Sequence, residues 1–452
     1  MKFRQFYLGC LAHASYYLGS DGEAAIIDPQ RDVGQYLAEA EANGQTIKYI
    51  IETHSHADFV SGHVELAART SAQIVYGQRA NTEFPTLKVK DGDELNVGQV
   101  RLKFFETPGH TPEGITILAG DTGDPLEARK LFTGDTLFIG DVGRPDLIGS
   151  KGHTAEEMAG MLYDSLREKI LPLPDETEIY PAHGAGSLCG KSLSKETWST
   201  LGEQRRFNYA LRPMAKEEFV ALVASGQTEV PAYFPKSAAA NLRGARFLDD
   251  LPEPQKASGE EMRAFEGVIL DVRSAAEFGA SHIPGAINIG LGGQFASWAG
   301  TLIEVGTPIA IAADRREQVG ETVMRLARVG IETVKSFILM EEWPYETAKI
   351  EQVTVDKMNE ILTGGQDVQF VDVRREGEYT AGHAPGAVNL TLSDLRNISG
   401  KLDPSRPTFV ICQGGYRSST GASILEKKGF TELYNITGGT AAWINAGLDV
   451  ET

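Results

Sequence analysis

The sequence predicts a multidomain α/β protein, and three observations carry that prediction. Short apolar runs of strand character alternate with helical stretches along the first half. A set of motifs around Asp271 recurs around Asp372. The chain has 452 residues, more than one hydrophobic core usually serves, so roughly two to four domains are expected.

Composition narrows the class. With 41% hydrophobic and 23% charged residues, the chain is an ordinary globular protein. A formal charge of -19 and a pI near 5.0 favour solubility and argue against a nucleic-acid partner, which would need a basic stripe. The longest apolar stretches fall well short of a membrane span. Phe6 to Leu8, before Cys10, is too short for the apolar core of a signal peptide. The expected location is the cytoplasm, with no membrane partner. Three cysteines, Cys10, Cys189 and Cys412, form no disulfide framework, which suits a reducing compartment.

Apolar strands are expected from Phe6 to Asp28, turned at Ser20-Asp21-Gly22, and then a helix over Val33 to Ala42. Tyr49-Ile50-Ile51 reads as a buried strand. It runs into Thr53 to His63, THSHADFVSGH, which packs three histidines and an aspartate into eleven residues. Imidazole and carboxylate hold zinc and divalent iron, and the alternation His54-x-His56-x-Asp58 lets a short loop turn several of them toward one point. A helix over Glu65 to Thr70 and a strand over Gln73 to Tyr76 follow. Three later loops repeat the design. Arg101 to Glu106 leads into Thr107-Pro-Gly-His110-Thr-Pro-Glu-Gly114, Lys130 to Thr133 into Gly134-Asp135-Thr136, and Glu178 to Tyr180 into Pro181-Ala-His183-Gly184. One such loop is most simply a turn. Four in series, spaced by whole strand-helix units, point to a single metal site.

These residues resemble the metallo-β-lactamase superfamily over roughly Met1 to Leu248, which implies an αββα sandwich with a metal between two sheets on strand-end loops. The resemblance implies His54, His56, Asp58, His110, Asp135 and His183 as the ligand candidates. The superfamily's dinuclear hydrolases usually read HxHxDH, and here the last position is Phe59. A phenyl ring cannot coordinate, so a second metal would lose a ligand. That favours the resemblance to persulfide dioxygenases, in which one iron is held by two histidines and one aspartate, here His54, His110 and Asp135. His56, Asp58 and His183 would then orient ligands and water without binding the metal. The alternative is a dinuclear zinc thioester hydrolase of the hydroxyacylglutathione type.

Gly140-Asp-Val-Gly-Arg144-Pro-Asp146 is similar to the dioxygenase loop that supplies an arginine for the substrate's carboxylate. Arg144 suits a structural ion pair equally well, and its position just after Asp135 favours substrate. Cys189 lies in the glycine-rich loop after His183, where it could carry a persulfide into the site or serve as a small buried hydrophobe. Cys10, in an apolar strand, reads as buried packing. Helices are expected over Lys195 to Ala210 and Lys216 to Ser225. The proline-rich stretch from Leu251 reads as a linker.

The C-terminal half is a repeat. Leu270-Asp271-Val-Arg273 with Ser281-His282-Ile-Pro284-Gly285 recurs as Val371-Asp372-Val-Arg374 with Gly382-His383-Ala-Pro385-Gly386, an offset of 372 minus 271, or 101 residues. Short apolar strands alternating with helices predict a small parallel α/β unit in each copy. The second copy runs Phe409-Val-Ile-Cys412-Gln-Gly414-Gly415-Tyr-Arg417-Ser418. Loop amides at Gly414 and Gly415, a helix N-terminus and Arg417 aimed at one sulfur stabilise a thiolate that can accept sulfane sulfur. Both copies resemble rhodanese domains. Aligning Thr307 to Ala312 with Pro407 to Cys412 puts Ala312 at the nucleophile position, so the first copy reads as degenerate, although Arg315 and Arg316 could still bind an anion.

The whole chain resembles fusions of a persulfide dioxygenase with two rhodanese domains. The implied boundaries are 1–250 for the dioxygenase, 251–258 for the linker, 259–350 for the inactive copy and 351–452 for the active one. The implied activity is iron-dependent oxidation of a thiol persulfide by dioxygen to sulfite, coupled to sulfur transfer through Cys412 to give thiosulfate and so clear sulfide. The implied cofactor is one Fe(II) per chain, at ligands that zinc or manganese can also fill. The implied partners are a low-molecular-weight thiol persulfide such as glutathione persulfide, dioxygen, and sulfite or thiosulfate. Assembly into a homodimer or higher oligomer is left open.

Overall fold

The computed structural model describes residues 1–122, 129–147, 152–191, 193–227, 230–397 and 400–452. The chain separates into two compact units, one built from Met1–Leu251 with Ala327–Gly330 and the other from Pro252–Leu326 and Ile331–Thr452. No helix among the described residues is long and apolar enough to cross a membrane.

The first unit holds two six-stranded sheets. One takes β1 (Lys2–Leu8), β2 (His13–Ser20), β3 (Glu23–Ile27), β4 (Thr46–Ile51), β5 (Gln73–Gly77) and β6 (Leu87–Val89) in that order. The other runs from β12 (Ser199–Thr200) through β11 (Glu178–Pro181), β10 (Lys130–Gly134), β9 (Ile115–Asp121) and β8 (Val100–Glu106) to β7 (Glu94–Val97). Side chains alternate across a strand, so each sheet has two faces to cover. In β3, Ala25 and Ile27 face the inter-sheet core with Val100, Leu102, Phe104, Ile117 and Phe132. Ala24 and Ile26 face outward, onto Tyr36 and Ala40 of the helix Gly34–Asn43. The second sheet turns Leu131 and Ile179 onto the helices Ala155–Ser165 and Lys216–Ala224. Both faces of both sheets are therefore covered, which makes the αββα layering and explains why the central strands read as unbroken apolar runs.

The second unit holds two five-stranded sheets with all-parallel pairing. β13 (Gln255–Lys256), β14 (Val268–Asp271), β15 (Ile287–Asn288), β16 (Ile309–Ala313) and β17 (Val334–Leu339) adopt the order β13-β17-β16-β14-β15. β18 (Glu351–Val353), β19 (Gln369–Asp372), β20 (Val388–Asn389), β21 (Thr408–Ile411) and β22 (Leu433–Ile436) adopt the equivalent order β18-β22-β21-β19-β20. The sequence repeat is thus a repeat of topology.

The two copies meet along the helix Tyr416–Lys427. The Tyr416 hydroxyl donates to the Gly290 carbonyl at 2.8 Å, and the Ser419 hydroxyl to Asn288 Oδ1 at 2.6 Å. The Asn288 amide donates to Ser423 Oγ at 3.1 Å, and Glu426 lies 3.1 Å from His282 Nε2 and accepts from the Gly285 amide at 3.3 Å. Spacings of three and four residues put all four on one face of the helix.

Three sequence expectations are corrected. The helix expected over Lys195 to Ala210 is shorter, Leu201–Phe207, because Ser199–Thr200 pairs as an edge strand with β11 and Thr200 caps the helix by accepting from the Glu203 amide. The stretch expected as a linker contains β13, which pairs with β17, so its second half belongs to the sheet that follows. The nucleophile position in the degenerate copy falls on Ala313. Asp271 pairs with Ala312 where Asp372 pairs with Ile411, so the ladders equate Ala312 with Ile411 and Ala313 with Cys412. The loop is also shorter there. Only Asp314 and Arg315 separate Ala313 from its helix, whereas Gln413, Gly414 and Gly415 separate Cys412 from the next. A gapless alignment absorbs that missing residue as a one-residue slip.

Candidate metal centre and sulfur-transfer loop

The strand-end loops of the first unit converge. His54 and His56 follow β4, His110 follows β8, Asp135 follows β10 and His183 follows β11. The ligand atoms of His54, His110 and Asp135 lie within 4.8 Å of one another, and all three residues are buried. Among the described residues, His54 Nε2, His110 Nε2 and both Asp135 carboxylate oxygens have no hydrogen-bond partner. Buried polar atoms are rarely left so, and four that face each other fit a metal ion. Burial holds His54 well below the usual histidine range and lowers His110 as well. Both imidazoles are then neutral, with a lone pair to offer.

The other ring nitrogens set which atom is free. His110 Nδ1 lies 2.9 Å from the Arg144 carbonyl oxygen, to which it donates, leaving Nε2 as the acceptor. His54 Nδ1 lies 3.0 Å from Thr53 Oγ1, whose hydroxyl donates to Asp28 at 2.9 Å. Backbone closeness preserves this geometry. A Cβ on Gly143 would overlap the Asp135 carbonyl oxygen and lie 2.9 Å from His110 Nδ1.

His56, Asp58 and His183 form a second buried group within the same span. Its imidazoles lie near carboxylates, and His56 Nδ1, His56 Nε2, His183 Nε2 and Asp58 Oδ1 are likewise without a hydrogen-bond partner among the described residues. His56 Nε2 lies 3.1 Å from Asp28 and 3.4 Å from Glu52, and although burial opposes it, Asp28 and Glu52 hold this histidine above its usual range. His183 Nε2 lies 3.5 Å from Asp58 and 3.6 Å from Asp135. Those carboxylates overcome burial and raise His183 well above the usual value. Asp58 in turn falls to about 2, burial being outweighed by His183 and His56. Phe59 is 1% exposed, and its ring centroid lies 4.0 Å from that of His13 and 4.5 Å from that of His56. Hydrocarbon fills that place.

Arg144 is 1% exposed and already engaged. Its guanidinium donates to both oxygens of Asp146, at 2.7 and 2.8 Å, and to the Leu188 carbonyl at 3.2 Å, while its amide donates to the Cys189 carbonyl at 2.9 Å. The arginine that suits substrate or an ion pair is here in the ion pair with Asp146, and it ties the His110 side of the site to the Cys189 loop. Cys189 is 1% exposed, and burial together with Asp58 and Asp135 pushes its thiol up to about 12. A thiol so placed is a weak nucleophile at neutral pH.

The sulfur loop is built differently. Cys412 follows β21 directly, and its Sγ accepts from the Gly415 amide at 3.1 Å with Ser418 Oγ 3.3 Å away. Gly415 holds a φ of 92°, which admits glycine readily and lets the loop curl into the helix Tyr416–Lys427. The sulfur thus faces the Gly415 amide, a hydroxyl and a helix N-terminus. Arg417 is paired in bidentate fashion with Glu378, at 2.7 Å for each contact.

Sequence reasoning missed His13, Asp28, Glu52 and Glu378. Asp28 and Glu52 each follow an apolar strand directly, the same signal that singled out Asp135. Glu378 is repeated as Glu277 at the same offset as Asp372 and Asp271.

Comparison with known proteins agrees with this geometry. The model of the metallo-beta-lactamase superfamily matches residues 8–183, and that of the rhodanese-like domain matches 255–338 and 354–446. A hydroxyacylglutathione hydrolase of Rhodospirillum rubrum is 34% identical over 224 residues, 49% of this chain and 77% of that protein. The mitochondrial persulfide dioxygenase ETHE1 of Homo sapiens is 30% identical over 232 residues, 51% of this chain and 83% of that protein. A crystal structure of a metallo-beta-lactamase from Staphylococcus aureus subsp. aureus COL superposes with a TM-score of 0.68 at 34% identity, covering 75% of this chain and 99% of that one. Other curated relatives are matched over only 56% of their length. Two buried groups of His and Asp side chains on an αββα frame, a parallel α/β repeat and these matches lead to one assignment: the chain belongs to the metallo-β-lactamase superfamily and carries two rhodanese-like domains after that fold.

Proposed function

We propose that the first unit is an iron-dependent persulfide dioxygenase and that the last rhodanese copy transfers sulfane sulfur through Cys412. The observation that carries this reading is Phe59, a ring where a further histidine would be needed to complete a second metal. His54, His110 and Asp135 form one buried group of two imidazoles and a carboxylate, while beside the second group, His56, Asp58 and His183, the Phe59 ring offers only hydrocarbon, its centroid 4.5 Å from that of His56. Two imidazoles and one carboxylate are the ligand set of non-haem iron sites with open positions, and a bound Fe(II) would supply the redox chemistry that dioxygen needs. The chain's own part is to fix the ligand tautomers through Arg144 and Thr53 and to keep the site enclosed.

The reaction balances as follows. One thiol persulfide, one dioxygen and one water give one thiol, one hydrogen sulfite and one proton. At the second site, sulfite attacks the outer sulfur of a Cys412 persulfide, the bond between the two sulfurs breaks, and thiosulfate leaves a Cys412 thiolate. No further oxidant is required. The persulfide carrier is read as a low-molecular-weight thiol such as glutathione.

Oxygen uptake by iron-loaded protein with glutathione persulfide tests the reading. Uptake is expected, and its absence together with hydrolysis of a glutathione thioester would establish the zinc hydrolase instead. A second check is metal content. Phe59→His restores the missing ligand type, so zinc bound after reconstitution should rise from about one toward about two per chain, and no rise would remove Phe59 as the reason for a single metal.

A further inference from the structure

The loop that carries Cys412 does not hold its own shape. Gly414 and Gly415 stand side by side in it, Gly415 at a φ of 92°, and glycine leaves a backbone more freedom than any other residue. The first half of the loop is fixed from within its own copy, where the Thr440 amide donates to the Cys412 carbonyl at 2.8 Å and the Ala441 amide to the Gln413 carbonyl at 3.1 Å. The second half holds Gly415, whose amide meets the sulfur at 3.1 Å and whose carbonyl accepts from Asn435 Nδ2 at 3.2 Å. The next residue, Tyr416, reaches out of the copy to the Gly290 carbonyl. We propose that Tyr416 is a positioning residue for sulfur transfer: seated on the degenerate copy, it keeps the Gly415 amide aimed at the Cys412 sulfur, so that the degenerate copy sets the reactivity of that cysteine. The proposal rests on the reading of Cys412 as a sulfur carrier and names what keeps the carrier reactive.

The seat is shaped to this ring. The Tyr416 hydroxyl donates to the Gly290 carbonyl at 2.8 Å, and the ring lies against Gly290 and Gly293, where the lack of a side chain makes room for it. A Cβ on Gly293 would come within 2.7 Å of the ring, and one on Gly290 within 3.6 Å. The corresponding turn of the last copy, 101 residues on, reads Thr391-Leu392-Ser393-Asp394 where this one reads Gly290-Leu291-Gly292-Gly293. The helix that begins at Tyr416 corresponds to Arg316–Ala327, which begins instead with an arginine paired with Glu253. The seat and its occupant therefore stand on opposite copies.

The seat is also firm. Arg325, itself buried, donates from Nη1 to the Leu291 carbonyl at 2.6 Å and from Nη2 to the Gly293 carbonyl at 3.4 Å, and the Leu291 amide donates to the Val272 carbonyl at 3.1 Å. A fixed Tyr416 limits how far the Gly415 amide can swing. That amide donates to the charged form of Cys412 and so favours thiolate over thiol. In the first half of sulfur transfer the thiolate attacks the outer sulfur of thiosulfate. A bond forms between those two sulfurs, the bond inside thiosulfate breaks, and sulfite leaves with its electron pair. An amide that drifts from the sulfur leaves less thiolate at neutral pH, and added hydroxide makes good the loss.

The test measures kcat/KM for thiosulfate, with cyanide as acceptor, on the full chain at about pH 7 and about pH 9. Tyr416→Phe removes the bond to Gly290, and Gly293→Ala pushes the ring off its seat from the other copy. Each should lower kcat/KM about tenfold at the lower pH and come within about twofold of the parent at the higher one. Gly292→Ala lies in the same turn, but a Cβ there meets nothing within 4 Å, so this variant should match the parent at both pH values. A loss of equal size at both pH values marks a loop that is merely damaged and overturns the proposal. Parent-level activity at the lower pH in both Tyr416→Phe and Gly293→Ala overturns it too, and leaves the reading of Cys412 standing. No transfer to cyanide by the parent chain overturns the reading of Cys412 and the positioning role with it.

Discussion

Cys412→Ser should abolish sulfur transfer from thiosulfate to cyanide, by at least ~10³-fold, and leave oxygen uptake with glutathione persulfide within about twofold of the parent chain. The substitution removes one atom's chemistry with little change of shape. Cys412 is 1% exposed and its sulfur already sits among donors, the Gly415 amide at 3.1 Å and the Ser418 hydroxyl at 3.3 Å, which a serine oxygen can use. A hydroxyl at that place cannot carry sulfane sulfur, and its proton is held far above the range of a thiol. Separate assays of the two activities on one purified variant make the check. Survival of both would show that Cys412 is not the carrier.

Asp135→Ala should have an effect of similar size on the other activity. Iron content should fall from about one per chain to below about a tenth, and oxygen uptake should fall at least ~100-fold, with transfer to cyanide unchanged. Asp135 is the one carboxylate that faces both open imidazoles, with Oδ2 3.3 Å from His110 Nε2 and 3.9 Å from His54 Nε2. Its other oxygen lies 3.6 Å from His183, so the alanine variant also removes one of the two carboxylates beside that imidazole. Metal analysis and oxygen uptake on the same sample decide the matter, and uptake persisting at the parent level would move the site elsewhere.

Much of this arrangement could be read from the sequence because its signals are local. A His or Asp directly after an apolar strand marks where a chain leaves a sheet, and four such places brought His54, His110, Asp135 and His183 together. The offset of 101 residues likewise exposed the duplicated topology. What escaped notice depends on partners distant along the chain. The bidentate pair of Arg144 with Asp146 is a matter of packing that the loop motif alone does not carry. The shift from Ala312 to Ala313 arose because the degenerate loop has lost a residue, which strand pairing reveals and a gapless alignment cannot. The helix expected from Lys195 began late because edge pairing with β11 outweighed helical propensity at Ser199 and Thr200.

The helix that starts at the sulfur loop has a consequence for how the last two copies hold together in solution. Ser418, Ser419, Thr420 and Ser423 are all buried, and two of these hydroxyls are satisfied by Asn288 of the degenerate copy. Opening that contact would strip partners from the same turns that present amides to Cys412. The two copies should therefore melt as one cooperative foldon, and a calorimetric trace should give a single transition for both where independent domains would give two. On that outcome, the copy with alanine at the position of Cys412 would serve as a structural support for the copy that carries the cysteine.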